Sequence, residues 1–254
     1  MRVPIPRRRH RPCAPFRLLG GLLLAALLAA GAAAQEPATP PDPDAPGLDG
    51  GERVAALVER IKYEQARLEA MTADFVQERT SALLLEPETS RGTFAYKAPD
   101  RARWEVLEPE RTVLVVREDE MLTWYPELGT AERVEVGEQA SRVTEYLSAS
   151  NSLAKLERYF DLRVAFPDDP AVPYRIELEP RFARVEKRVR SMTLWFDRER
   201  YVPVRLRWVD PAGDTTEYRF ENVEVNPEIP DERFVLDLPP DVEVRTIELG
   251  GGGS

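Results

Sequence analysis

Imidazole and thiolate chemistry each rest on a single residue in this chain: His10 and Cys13 are its only histidine and its only cysteine. Residues of these types serve as proton shuttles, nucleophiles, or ligands of zinc, haem and iron–sulfur clusters. Both lie ahead of the apolar run 18–34, among Arg2, Arg7, Arg8, Arg9, Arg11 and Arg17, and the run ends in Ala32-Ala33-Ala34. A basic stretch, an apolar stretch and an A-x-A site, in that order, make an export leader. Cleavage after Ala34 removes both residues, so the mature chain is expected to hold no cofactor and no metal. A carboxylate pair of the glycosidase kind is the acid–base option left. Alternation puts Glu177 and Glu179 on the wet face opposite Ile176 and Leu178, so no catalytic residue is assigned and the chain is expected not to be an enzyme.

About 17 apolar residues approach spanning length, but Gly20, Gly21 and the small-residue end favour a cleaved signal peptide over a retained anchor. Arg8-Arg9 is not followed by the residues of a twin-arginine signal, and no cysteine follows the run to accept a lipid. Sec export to the periplasm is therefore expected. Beyond residue 34 there are 29 basic and 45 acidic residues, a formal charge of −16. Such a surface is expected to repel nucleic acid and anionic lipid headgroups and to favour a soluble monomer. Without cysteines, stability must come from a buried core, for which roughly 200 residues suffice.

The elements that position any site follow from periodicity. Residues 35–51 carry prolines, acids and glycines and read as an extended linker, with the domain over 52–249 and a Gly/Ser tail over 250–254. Over 52–71 the apolar Val54, Leu57, Val58, Ile61, Leu68 and Met71 recur at helical steps. After Gly92 the period becomes two: Phe94 and Tyr96; Ala102, Trp104 and Val106; Leu122 and Trp124. Tyr174, Ile176 and Leu178, then Met192, Leu194 and Phe196, then Val202, Val204, Leu206 and Trp208 alternate in the same way. Arg205 and Arg207 take the other face. A second helical stretch spans 141–160, with a break near 148–152. Between Tyr218, Phe220 and Val223, Val225 the phase slips, which predicts a β-bulge near Glu221 and Asn222. The fold class is mainly β with a few helices (α+β): a curved antiparallel sheet turning its apolar face toward the helices.

Phe75 and Gln77, then Gly92 with Phe94, Tyr96, Lys97 and Pro99, then Arg103-Trp104, Pro109, Leu122 with Trp124-Tyr125-Pro126, then 210–213, Asn222 and Phe234 to Pro239, in this order and spacing, resemble the LolA family of periplasmic lipoprotein carriers. The match covers about residues 52–246. The resemblance implies an incomplete antiparallel β-barrel lidded by helices, enclosing an apolar cavity that shields lipoprotein acyl chains. It also implies loading from an inner-membrane LolCDE-type ABC transporter and delivery to a LolB-type outer-membrane acceptor. The best-known carriers have an arginine, linked to cargo transfer, just before the proline of the first strand turn; here Ala98 stands there. Arg101 or Arg103 is the candidate substitute.

The expected cavity walls are Phe94, Tyr96, Trp104, Val106, Leu122, Trp124, Ile176, Leu178, Met192, Leu194, Phe196, Leu206 and Trp208. Plain core packing is the alternative for the same residues. Leu83-Leu84-Leu85 reads either as a flap or as a packed strand, and the basic stretch 181–190 either as a solvated hairpin or as a docking surface. An RseB-like lipid sensor, or a carrier of another apolar cargo such as free lipid, pigment or polyketide, remains the alternative function.

Overall fold

The computed structural model describes residues 38–117, 120–135 and 152–248. Helix α1, Gly50–Ala66, starts at a capping box in which Asp49 Oδ1 accepts from the Glu52 N–H and Glu52 Oε2 accepts from the Asp49 N–H, both at 2.9 Å. Its buried stripe is Ala56, Leu57, Val58, Ile61 and Gln65. The helix ends earlier than the apolar spacing over 52–71 suggests, because Asn226, from the far end of the domain, takes over the next residues. Asn226 Oδ1 accepts from the Glu69 and Ala70 N–H groups at 2.8 and 3.1 Å, and its Nδ2 donates to the Arg67 carbonyl at 3.2 Å. Leu68 and Met71 are buried in a second cluster, and Met71 belongs to a strand.

Among the described residues, twelve strands form one open sheet: β1 (Ala70–Thr80), β2 (Glu88–Lys97), β3 (Arg101–Glu108), β4 (Thr112–Arg117), β5 (Glu120–Tyr125), β6 (Thr130–Glu135), β7 (Phe160–Ala165), β8 (Tyr174–Pro180), β9 (Ser191–Phe196), β10 (Pro203–Val209), β11 (Thr215–Val225) and β12 (Glu243–Glu248). Their order across the sheet is β12-β6-β5-β4-β3-β2-β1-β11-β10-β9-β8-β7. The β1–β11 pair brings the two halves of the chain together at the middle. All neighbours are antiparallel except β12 and β6, which run parallel, a departure from the purely antiparallel expectation. The anticipated bulge is present: the β1–β11 register shifts so that Asp74 faces Glu221 while Thr72 faces Glu224. Asn222 takes φ +50° there and its Nδ2 donates to Asp74 Oδ2 at 2.8 Å.

Helix α2, Ser152–Tyr159, is the part of the 141–160 expectation that falls within the described residues; 141–151 lie outside them. It packs beside α1, with Lys62 Nζ 2.7 Å from Glu157 Oε2. Beneath α1 lie Tyr174, Ile176, Leu178, Leu194 and Phe196 of β8 and β9. A one-turn helix, α3, Ala183–Glu186, links β8 to β9.

Residues 38–49, expected to be an extended linker, instead close onto the domain from Thr39 onward. Pro43 is fully buried. Asp44 Oδ2 accepts from Tyr174 Oη–H at 2.6 Å and pairs with Arg198 at 3.2 Å, while Oδ1 pairs with Arg53 at 2.6 Å. Burial alone would raise the Asp44 carboxyl. The hydrogen bonds from Tyr174 and Arg53 and the charges of Arg198 and Arg53 outweigh it and hold Asp44 below the usual carboxylate range. Asp44→Ala should cost about 1–3 kcal/mol in urea unfolding, because it leaves the buried Tyr174 hydroxyl without its acceptor. No change in the midpoint would show that the segment does not hold the fold.

Candidate functional site

Directly opposed residues of antiparallel strands share a face, so the register sorts every candidate. Phe94 opposes Trp104, Trp104 opposes Leu114, and Phe75 opposes both Gly92 and Phe220. Tyr218 opposes Leu206, Leu206 opposes Leu194, Trp208 opposes Met192, and Ile176 and Leu178 oppose Leu194 and Met192. Thus Phe94, Tyr96, Trp104, Val106, Ile176, Leu178, Met192, Leu194, Phe196, Leu206 and Trp208 stand on one inner face, together with Phe75, Tyr218 and Phe220.

Burial divides that face. Ile176, Leu178, Leu194 and Phe196 are buried in the cluster under α1, where they pack as core. Phe94 and Tyr96 are also buried, at the centre of the second cluster. Half-buried and still presenting apolar surface are Trp104, Val106, Met192, Leu206, Trp208, Tyr218 and Phe220. These surround an aromatic cluster: Trp104 lies 4.7 Å from Phe75, 5.0 Å from Phe94, 5.1 Å from Tyr218 and 6.1 Å from Phe220 between ring centroids. Trp208 lies 5.6 Å from Tyr218. Burial pushes the Tyr218 phenol up to about 12, so it stays neutral at any physiological pH. Tyr218 and Phe220 are absent from the expected walls although their alternation is visible in the sequence; the bulge that follows them obscures which face they share.

Leu122 and Trp124 stand on the opposite face, against expectation. Leu122 opposes Val115 and Trp124 opposes Val113, which in turn oppose Arg103 and Glu105. There Val113, Val115 and Leu122 are buried, and the 3₁₀ turn Asp231–Phe234 lies against β3 and β4. Phe234 and Ile229 form a small cluster with Ala70 and Ala95. The carboxy-terminal segment therefore creates a second, minor core on the outer face. Alternation alone cannot choose a face when both phases of β5 are apolar, as Met121, Leu122, Trp124 and Tyr125 are.

Arg101 and Arg103 hold that segment in place. Asp231 receives Arg101 Nη1 at 2.7 Å and Lys97 Nζ at 2.5 Å. Arg103 pairs with Glu105 at 2.8 Å and donates to the Arg233 carbonyl at 3.4 Å, and Arg111 pairs with the same Glu105 at 2.6 Å. Ala98 sits at the β2–β3 turn, partly buried against the second cluster, its N–H donating to the Glu69 carbonyl at 2.7 Å. Hydrogen bonds from Lys97 and Arg101 hold the Asp231 carboxyl at about 2, against an ordinary 3.8. A depressed carboxylate stabilises above its unfolded pKa and loses that contribution as pH falls through the folded one. The stability difference between wild type and Asp231→Asn should accordingly be constant above pH ~4 and vanish toward pH ~2. A difference that persists unchanged at pH 2 would assign the effect to something other than the carboxylate.

The outer face near β10 and β11 is polar. A shallow cleft of about 260 Å³ is lined by Glu78, Thr80, Arg205, Arg207, Thr215, Glu217 and Arg219. Burial would raise Glu217, but the hydrogen bond from Arg205 at 2.7 Å and the charges of Arg205 and Arg219 hold it below the carboxylate range. This cleft does not suit an apolar ligand.

The family profile described as outer membrane lipoprotein carrier protein LolA matches residues 66–237. An outer-membrane lipoprotein carrier protein of Chromohalobacter salexigens is 28% identical over 204 residues, covering 80% of this chain and 88% of its own. One of Alkalilimnicola ehrlichii is 31% identical over 165 residues, 65% of this chain and 71% of its own. Among solved structures, an uncharacterized conserved protein from Thermus thermophilus aligns with a TM-score of 0.50 at 12% identity, over 76% of this chain and 99% of that one. That likeness concerns the fold alone.

Proposed function

Because the chain belongs to the LolA family of outer membrane lipoprotein carrier proteins, we propose that it binds the acyl chains of lipoproteins in the periplasm and moves them from the inner to the outer membrane. What supports the site assignment is the half-buried apolar surface around Trp104, Leu206, Trp208, Tyr218 and Phe220 on the inner face of an open sheet. Keeping one C16 chain out of water is worth roughly 11 kcal/mol, at ~0.8 kcal/mol for each of about 14 methylenes. A diffusing lipoprotein needs a surface of this kind. Among the described residues no helix is long and apolar enough to cross a membrane.

In this reading the acyl chains lie along the aromatic half of the sheet and complete an apolar cavity there, while α1 and α2 cover the other half. Loading comes from a LolCDE-type transporter, and a LolB-type acceptor takes the cargo where one exists. Release without ATP on the carrier then requires higher affinity at each successive partner. The carrier itself supplies binding and no bond chemistry. To test the proposal, the chain from residue 35 onward is added to spheroplasts of the source bacterium and the supernatant complex is identified by mass spectrometry. A lipoprotein in soluble complex supports it. Free lipid or pigment with no lipoprotein would transfer the function to another apolar cargo.

A further inference from the structure

The topology gathers an unusual set of side chains at one end of the sheet. Thr80 opposes Thr215, Val209 opposes Ser191, and the Arg190 N–H donates to the Val209 carbonyl at 2.8 Å. The β1–β2, β10–β11 and β8–β9 connections are therefore consecutive neighbours along a single rim. At the β1–β2 tip, Leu83 and Leu85 are 94% and 104% exposed. The neighbouring strands put Leu107 and Leu128, also exposed, at the same end. Isolated exposed leucines are common on soluble proteins, but two almost fully exposed leucines on one hairpin tip pack against nothing in the domain.

The β8–β9 connection adds charge. Residues 181–190 hold five basic residues and one acid in a chain whose overall charge is negative. Val185 and Val189 anchor the connection to the core under α1, and Phe182 is 44% exposed. Arg181 pairs with Asp161 at 2.7 Å, whereas Arg184, Lys187, Arg188 and Arg190 pair with no carboxylate among the described residues. The rim also carries Glu86, Glu186, Asp210 and Asp214, but it sets exposed apolar side chains at the same end of the sheet as cations that pair with no carboxylate, Arg184 lying 5.3 Å over the Phe182 ring, and this combination is the chemistry of an interfacial lipid contact. The apolar tips enter the headgroup boundary and the cations meet anionic headgroups.

We propose that this rim docks the protein on an anionic lipid bilayer, with Leu83 and Leu85 as the inserting tip and Arg184, Lys187 and Arg188 as the electrostatic contact. The contact is separate from the inner-face aromatic cluster and does not depend on what that cluster carries. It is tested by sedimenting the chain from residue 35 onward, which contains the whole described domain, with vesicles of phosphatidylethanolamine and phosphatidylglycerol. Binding should weaken as salt rises. The pair Leu83→Ser and Leu85→Ser should reduce partitioning at least tenfold with an unchanged melting temperature, since neither side chain is packed. Lys187→Glu with Arg188→Glu should reduce it severalfold on anionic vesicles. Failure of the wild type to sediment with these vesicles, or equal sedimentation of the leucine variant, would overturn the proposal whatever the outcome of the cargo assay.

Discussion

Gly92→Ala should destabilise the domain by about 3 kcal/mol or more, lowering its melting temperature by roughly 6–12 °C. A Cβ built at Gly92 would lie 2.0 Å from the Glu105 carbonyl oxygen and 2.6 Å from Phe75 Cζ. The first neighbour is backbone of the paired strand β3, so it moves only if β2 and β3 separate. The second is a ring that is 1% exposed and lies across Gly92 on the inner face. This glycine is required for space: Phe75 uses the gap to reach Trp104. Phe75→Ala in the Gly92→Ala background should recover only part of the loss, because the carbonyl contact remains. A Gly92→Ala protein within 0.5 kcal/mol of wild type, about the range of ordinary surface changes, would show that the strands do not approach this closely.

Trp208→Glu and Phe220→Glu should each lower lipoprotein retention at least tenfold while leaving the fold intact. Both side chains are half-buried at the border of the aromatic cluster, so the substitutions put a carboxylate where acyl chains would lie without emptying the core. An unpaired charge in apolar surroundings is costly. Trp104, with four aromatic neighbours, would test folding as much as binding. The control is Arg207→Gln, an exposed position beside Trp208 on the other face of the same strand, which avoids a second carboxylate directly opposite Glu217. Arg205 is unsuitable as a control because it neutralises the buried Glu217. Retention that falls equally in all three variants would remove the inner-face assignment.

Side-chain alternation carries much of this architecture in the sequence. Tyr174, Ile176 and Leu178, and Leu206 with Trp208 against Arg205 and Arg207, sort into faces because each strand is apolar in one phase only. The bulge at Asn222 is legible for the same reason: a slipped phase within one strand has few other causes. What the sequence hides depends on distant partners. Leu68 and Met71 fit both a helical and a strand period, and the choice is made by Asn226, which binds the Glu69 and Ala70 N–H groups from 157 and 156 residues away. The proline-rich segment before α1 has no period at all, and its docking depends on Tyr174, 130 residues beyond Asp44. Leu122 and Trp124 face outward, contrary to expectation, because the turn carrying Phe234 covers the outer side of β3 and β4.

The division of the inner face into a core half and an open half has the same origin. Periodicity marks Ile176 and Trp208 alike as inward, and only the placement of α1 distinguishes them. Position on the sheet thus decides which inward residues keep exposed apolar surface: those around Trp104 and Tyr218, and not those under the helix.

Cross-linking of captured cargo locates where acyl chains lie on the sheet. A photoreactive benzophenone amino acid is placed singly at positions 208, 220, 176 and 207, the carriers are loaded from spheroplasts and irradiated, and the adducts are identified by mass spectrometry. Adducts to lipoprotein acyl chains from 208 and 220, with none from 176 under α1 or 207 on the outer face, are the predicted result. Adducts from 207 without any from 208 or 220 would place the cargo on the outer face and contradict the account.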